Sequence, residues 1–172
     1  LTSHSTCKKI LNLYKGFKEQ LKMKNKVRVF WFRRDMRLED NVGLYHALSG
    51  VFPVVPLFIF DKNILDELQK DDARISFIFE QLQKMRLHLQ DHYGSSIATY
   101  HSTPEEAFHE LLKDFEVEAV YTNRDYEPYA HQRDSRINTL LANQWIEFHD
   151  FKDQVIFEKT ELEKNDRGMN RV

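Results

Sequence analysis

The stretch Lys26-Val27-Arg28-Val29-Phe30-Trp31-Phe32-Arg33-Arg34-Asp35-Met36-Arg37-Leu38-Glu39-Asp40-Asn41 constrains the fold more than any other part of the chain. A β-branched and aromatic segment stops abruptly in alternating cations and carboxylates, and Asn41 follows where a helix can begin. In a parallel α/β sheet, such a run is a strand that delivers a charged cluster to its carboxyl edge, where ligands bind.

Beyond residue 25 short apolar runs alternate with helical periodicity, the pattern of a parallel sheet covered by helices. The predicted strands are Val27–Phe32, Phe52–Phe60, Ile97–Tyr100, Val117–Thr122 and Trp145–His149, with Val155–Phe157 a further short extended piece. A helix is expected over Asn41–Leu48, capped by Asp40 or Asn41. A long helix from about Asp72 to His92 carries Ile75, Ile78, Leu82, Met85 and Leu89 as one stripe, and Gly94 stops it. Ser102-Thr103-Pro104-Glu105-Glu106 starts another, with Thr103 as N-cap, Pro104 in the first turn and Glu106 closing a capping box. A further helix is expected over Ala130–Leu141. The fold predicted is a doubly wound five-stranded parallel sheet, order 3-2-1-4-5, with helices on both faces. One domain is expected over residues 25–160, after a basic amphipathic extension at residues 1–24.

Charge limits the partners. Residues 1–28 hold eight lysines and arginines against Glu19 alone, so within a net charge of −2 the remainder is acidic. An acidic body is poorly suited to a nucleic-acid backbone, so little direct nucleic-acid binding is expected of it. Cys7 is the single cysteine, which excludes an internal disulfide framework. No apolar run approaches the roughly 18–20 residues needed to cross a membrane. The first residues hold no signal-peptide core, and a cytoplasmic monomer is the expectation.

Two charged loops stand out. The first, Arg33 to Asn41, reads either as a self-paired salt-bridge network or as a ligand or domain-docking edge. The second, Tyr121 to Asp134, follows the fourth strand and opens on the same edge, so in the predicted order both converge on the topological switch point. Arg74 places a cation at a helix start, where the dipole prefers an anion, unless Asp71, Asp72 or a ligand compensates. His88 and His92 are four apart on a helix, but no third ligand type accompanies them, and a solvated face is the better reading. No metal site is expected. The five glycines form neither G-x-G-x-x-G nor a P-loop, and no G-x-S-x-G elbow is present. These residues offer a binding site without a catalytic constellation.

Three stretches, Phe30–Asn41, Asp72–Leu82 and Asn123–Asp134, resemble in order and spacing the motifs of the DNA photolyase/cryptochrome family, and Val54–Asp61 is similar to its second strand. The resemblance implies an N-terminal α/β domain that binds a light-harvesting antenna chromophore. It also implies a helical C-terminal domain that holds FAD, docks damaged DNA and splits pyrimidine dimers by light-driven electron transfer. Phe157–Val172 is similar to the linker before that domain, so a truncated N-terminal domain is expected, with residues 161–172 opening the linker. On this reading the FAD site lies outside the chain and the fragment alone is inactive.

Members that use a reduced folate carry Asn-Glu where this chain has Tyr129 and Ala130. Members that use a deazaflavin or flavin carry an aromatic, an Arg and an Asp where this chain has Phe58, Arg74 and Asp125. The resemblance therefore implies a flavin-like antenna site at Phe58, Arg74 and Asp125, with Arg33 a fourth member. The function implied is that of a deoxyribodipyrimidine photo-lyase. The alternatives are a cryptochrome photoreceptor and a free-standing flavin- or nucleotide-binding α/β module.

Overall fold

The computed structural model describes residues 26–66, 68 and 72–153. The amphipathic extension, the piece at Val155–Phe157 and the linker lie outside the described residues. Five strands, β1 (Lys26–Phe32), β2 (Val54–Asp61), β3 (Ala98–Ser102), β4 (Glu116–Asn123) and β5 (Glu147–Phe151), form one sheet in the order β3-β2-β1-β4-β5. Every neighbouring pair is parallel. The helices between them are α1 (Val42–Leu48), α2 (Lys62–Leu65), α3 (Ala73–Tyr93), α4 (Pro104–Asp114) and α5 (Pro128–Ala142).

The period-two alternation of the central strands sorts the core into two layers. Val27, Val29 and Trp31 of β1, with Val55, Leu57 and Ile59 of β2, face Phe108 and Leu111 of α4 and Ile137 and Leu141 of α5. Phe30 and Phe32, with Phe58 and Phe60, face Leu44 and Ala47 of α1 and Leu82, Met85 and Leu89 of α3. Both faces of β1 and β2 are thus buried, which is why these strands read as nearly continuous apolar runs. Pro56 is tolerated inside β2 because β3 pairs with β2 only from Leu57 onward, leaving an open edge on that side.

Local signals set the helix ends. Asn41 caps α1 by accepting from the Leu44 amide at 3.0 Å. Thr103 and Glu106 form the reciprocal capping box at α4. Gly94 ends α3 at φ +59, with its own amide on Gln90 and that of Ser95 on Leu89. That left-handed conformation carries no penalty for glycine.

Three strands begin later than expected. β2 starts at Val54 rather than Phe52, β3 begins one residue late, and β5 starts at Glu147 rather than Trp145. Trp145 sits at φ 60 in the turn after α5 and is 96% exposed, while the Ile146 amide bonds back to Leu141. The turn consumes the residues that composition had assigned to the strand. The one-turn helix α2, capped by Asp61 through the Asn63 amide, has no periodic signal and was not anticipated.

Helix α1 approaches β4 so closely that a Cβ at Gly43 would lie 2.7 Å from Asn123 Oδ1, 2.9 Å from Phe30 Cε2 and 3.1 Å from the Thr122 carbonyl. Backbone on one side and a locked ring on the other leave little room to give. Gly43→Ala is therefore expected to cost about 1–3 kcal/mol, read as a lower urea midpoint at unchanged slope. An unchanged midpoint would contradict this packing.

Candidate functional site

The two charged loops meet at the carboxyl edge of β1 and β4. Pairing of these strands runs only to Phe30 opposite Tyr121. Beyond it the Thr122 hydroxyl donates to the Trp31 carbonyl at 3.0 Å, replacing a ladder bond by a side chain. Above this lies a buried knot of Asp35, Asn41 and Asn123. Asp35 accepts from the Arg33 amide at 2.8 Å and from Asn123 Nδ2 at 2.6 Å. Asn123 Nδ2 also donates to Asn41 Oδ1 at 2.9 Å, and its Oδ1 accepts from the Gly43 amide at 2.8 Å. Such a network is stable only when its members are satisfied, and these are.

None of the three loop guanidinia pairs with a carboxylate of its own loop among the described residues. Arg33 reaches Asp134 at 2.7 Å, Arg34 reaches Glu127 at 2.6 Å, and Arg37 grips both oxygens of Asp153 at 2.8 and 2.7 Å. The cluster is thus neither self-paired nor an open ligand edge. Its cations are clasps to elements far along the chain.

Arg33 fills the crevice between β1 and β4. Its Nε donates to Thr122 Oγ1 at 2.9 Å and an Nη to the Asn123 carbonyl at 2.6 Å, and its guanidinium lies 5.1 Å over the Trp31 ring. Burial pushes its pKa below the ordinary arginine value, against the pull of Asp134. Asp134 is shared: its other oxygen accepts from Arg133 Nε at 3.0 Å. Arg133 is buried, and one Nη has no hydrogen-bond partner. Its guanidinium stacks 4.9 Å from Trp31 and 5.8 Å from Tyr129, so ring faces supply part of what that N–H lacks.

With the switch point plugged, the open space lies to one side, over the ends of β1 and β2. A cleft of about 190 Å³ is bounded by Phe58 and Asp61 from β2, Ile64 from α2, Ile78 from α3, and Asp125 and Tyr129 before and within α5. Phe58 is buried and stands edge-on to Phe60 at 5.0 Å. Tyr129 closes the far side by donating its hydroxyl to Asp61 Oδ2 at 2.5 Å. Burial and that bond raise the Tyr129 pKa.

Asp125 is mostly buried, and the nearest cation shown, Arg34 Nε, lies 3.9 Å away. Its Oδ1 accepts a long bond, 3.3 Å, from the Glu127 amide. The carboxylate therefore retains acceptor capacity toward the cleft. Phe58, Asp125 and Arg33 line one cleft.

Arg74 is not among the residues lining it. It stands one turn before Ile78 on α3, and its guanidinium grips its own N-cap, Asp72, at 2.6–3.1 Å. Asp72 also accepts from the Arg74 amide at 2.9 Å. The awkward cation at a helix start is thus compensated within the helix, and no ligand is needed to explain it. Sequence reasoning gave no role to Asp61, Ile64 or Arg133. Asp61 left a usable signal, an acid ending a strand at the carboxyl edge. Ile64 left none, since its place depends on an unpredicted turn. No group of three potential metal ligands occurs among the described residues.

The Asp72 pKa is lowered to about 2, chiefly by the side-chain bonds from Arg74 and then by the backbone bond. A depressed carboxylate stabilises the fold above its unfolded value and loses that contribution as pH falls toward about 2. In Arg74→Ala the Asp72 carboxyl resonance is expected to titrate nearer the ordinary value, about 3.9, in an NMR pH series. An unmoved midpoint would refute this pairing.

Residues 28–172 match the family model described as DNA photolyase. The chain is 32% identical over 128 residues to the deoxyribodipyrimidine photo-lyase of a Synechococcus species, covering 74% of this chain and 26% of that protein. It is 28% identical over 148 residues to the deoxyribodipyrimidine photo-lyase of Halobacterium salinarum, covering 81% and 30%. It superimposes with a TM-score of 0.72, at 31% identity, on the archaeal photolyase of Sulfolobus tokodaii, a structure described as holding two FAD molecules and implying a novel light-harvesting cofactor. That match covers 80% of this chain and 32% of the other. The chain spans about a quarter to a third of the length of these relatives.

Proposed function

This chain belongs to the DNA photolyase family, and from that premise we propose that it is the antenna-binding α/β domain of a deoxyribodipyrimidine photo-lyase. The observation that carries the site is the cleft over β1 and β2, where a buried ring, Phe58, and an under-used carboxylate, Asp125, share one wall system. A planar heteroaromatic ring with an N–H at one edge fits that pairing: the apolar walls take its faces and Asp125 accepts from its edge. A deazaflavin or a flavin has such an edge. Folate fits less well, because Tyr129 occupies the position where folate-binding members carry an amide and closes onto Asp61.

The chromophore bound here would collect light. FAD, bound by the part of the parent protein beyond the matched stretch, would supply the excited electron that splits the dimer. Within this chain the residues bind and orient: Asp125 sets the ring's edge, Phe58 its plane, and Arg33 holds β1 to β4 beneath it. Arg74 would reach the mouth only by leaving Asp72. Damaged DNA would be engaged by the rest of the parent protein, in keeping with the acidic body of this chain. Among the described residues no helix is long and apolar enough to cross a membrane.

The test is to titrate the full chain with FMN and with 7,8-didemethyl-8-hydroxy-5-deazaflavin, then repeat with Asp125→Ala. Losing a charged acceptor is expected to weaken binding about tenfold or more. Equal affinity in the variant would exclude Asp125 from the site. Blue-light repair of ultraviolet-damaged DNA by the parent protein distinguishes a lyase from a photoreceptor of the same family.

A further inference from the structure

Trp31 lines the cleft from the end of β1 and is only 2% exposed. The Arg33 guanidinium lies 5.1 Å from its ring and that of Arg133 4.9 Å, while Phe108 stands edge-on at 5.3 Å. Both arginine side chains are themselves buried, each 6% exposed, and both pair with one carboxylate, Asp134. Two cations over one contacting anion leave positive charge beside the indole. In so dry a place a charge acts on its neighbour far more strongly than at the surface.

Packing alone gives Arg133 little reason to be charged. Arg33 ties β1 to β4 through Thr122 and the Asn123 carbonyl. Arg133 bonds instead to Asp134, its own neighbour in α5, and leaves one Nη without a partner. An apolar side chain of similar volume would fill that place at lower cost. What a cation does there, and an apolar group does not, is oppose further positive charge on the ring it faces. Cation–π attraction draws on the ring's electron density, which an oxidised indole has lost. The same guanidinium lies 5.8 Å from Tyr129, the phenol of the cleft, but there Asp61 works against it by accepting a hydrogen bond from the hydroxyl. Arg133 thus bears chiefly on Trp31.

We propose that Arg133, with Arg33, keeps Trp31 from giving up an electron to an excited ring in the cleft, so that the excitation survives long enough to be passed on. The inference rests on the flavin reading of the cleft and adds an electronic role for the wall behind it. Excited flavins are strong one-electron oxidants, and indole is among the most readily oxidised side chains. Unopposed, Trp31 would lose one electron to the excited ring and recover the same electron in the dark. Nothing would be consumed, and the excitation would be lost as heat. An indole cation formed at 4.9 and 5.1 Å from two guanidinia meets like-charge repulsion from both, which slows that loss.

The test is the fluorescence lifetime of FMN, or of 7,8-didemethyl-8-hydroxy-5-deazaflavin, bound to the full chain. Arg133→Gln is expected to shorten it about threefold or more, since losing one of two like charges lowers the barrier to electron loss. Arg133→Lys keeps the charge and is expected to hold the lifetime near its original value. Arg133→Gln combined with Trp31→Phe is expected to restore it, whereas a merely structural defect would persist in that double variant. Trp31→Phe alone tests the point without touching an arginine: the lifetime is expected to stay unchanged, and a longer one overturns the inference, because Trp31 then already quenches. An unaltered lifetime in Arg133→Gln, its fold checked by thermal melting, also overturns it. So does restoration by Tyr129→Phe instead of Trp31→Phe. In each of these outcomes the chromophore has bound and the flavin reading stands. Failure of both probes to bind overturns the flavin reading and this inference with it.

Discussion

The arrangement at the carboxyl edge depends on the hydrogen bonds of Asn123. This one buried side chain, 3% exposed, joins three separately coded pieces: the Asp35 carboxylate after β1, the Asn41 cap of α1, and the Gly43 amide inside α1. It does so from the last residue of β4, where the ladder with β1 has already ended. Two strands that diverge at a switch point need something other than backbone bonds to fix their ends. Here one amide supplies both donors and an acceptor. The approach of α1 that results is close enough to require glycine at position 43.

With the strand ends fixed, the electrostatics of the edge become a set of clasps. Arg33, Arg34 and Arg37 leave their own loop and bind Asp134, Glu127 and Asp153. Arg33 does this from a buried position, where one carboxylate, Asp134, serves two guanidinia. Burying such charges is costly, and removing one partner strands the others. The rings of Trp31 and Tyr129 offset part of that cost by facing the guanidinia. The same geometry explains where the ligand space is. Arg33 plugs the crevice between β1 and β4, so the cleft opens beside it, over β1 and β2, walled by α2, α3 and the start of α5.

That displacement matters for a family in which this domain is paired, in longer relatives, with much additional chain. An edge pinned by buried hydrogen bonds would hold the ring of the proposed chromophore at a fixed angle, on which energy transfer between pigments depends. The half-exposed ion pairs at Arg34 and Arg136 border a groove beside the cleft, whereas the Arg74 pair lies outside both.

The sequence by itself determined the fold class, the parallel order, the helix cap at Thr103, the stop at Gly94 and the two convergent loops, and it narrowed the cap of α1 to Asp40 or Asn41. These follow from periodicity and from groups within a few residues of each other, which a linear reading captures. It also brought Phe58, Asp125 and Arg33 to one place, through the resemblance of their motifs. Only the tertiary structure decided which carboxylate each arginine takes. Arg33 and Asp134 lie 101 residues apart, and Arg37 and Asp153 lie 116 apart. It decided that Arg74 is satisfied by its neighbour Asp72 rather than turned to the cleft. It also decided that Tyr129 closes on Asp61 across 68 residues. Hydrophobic pattern is a local, one-dimensional signal, whereas the partner of a charge is chosen by which loop ends the sheet brings within about 3 Å.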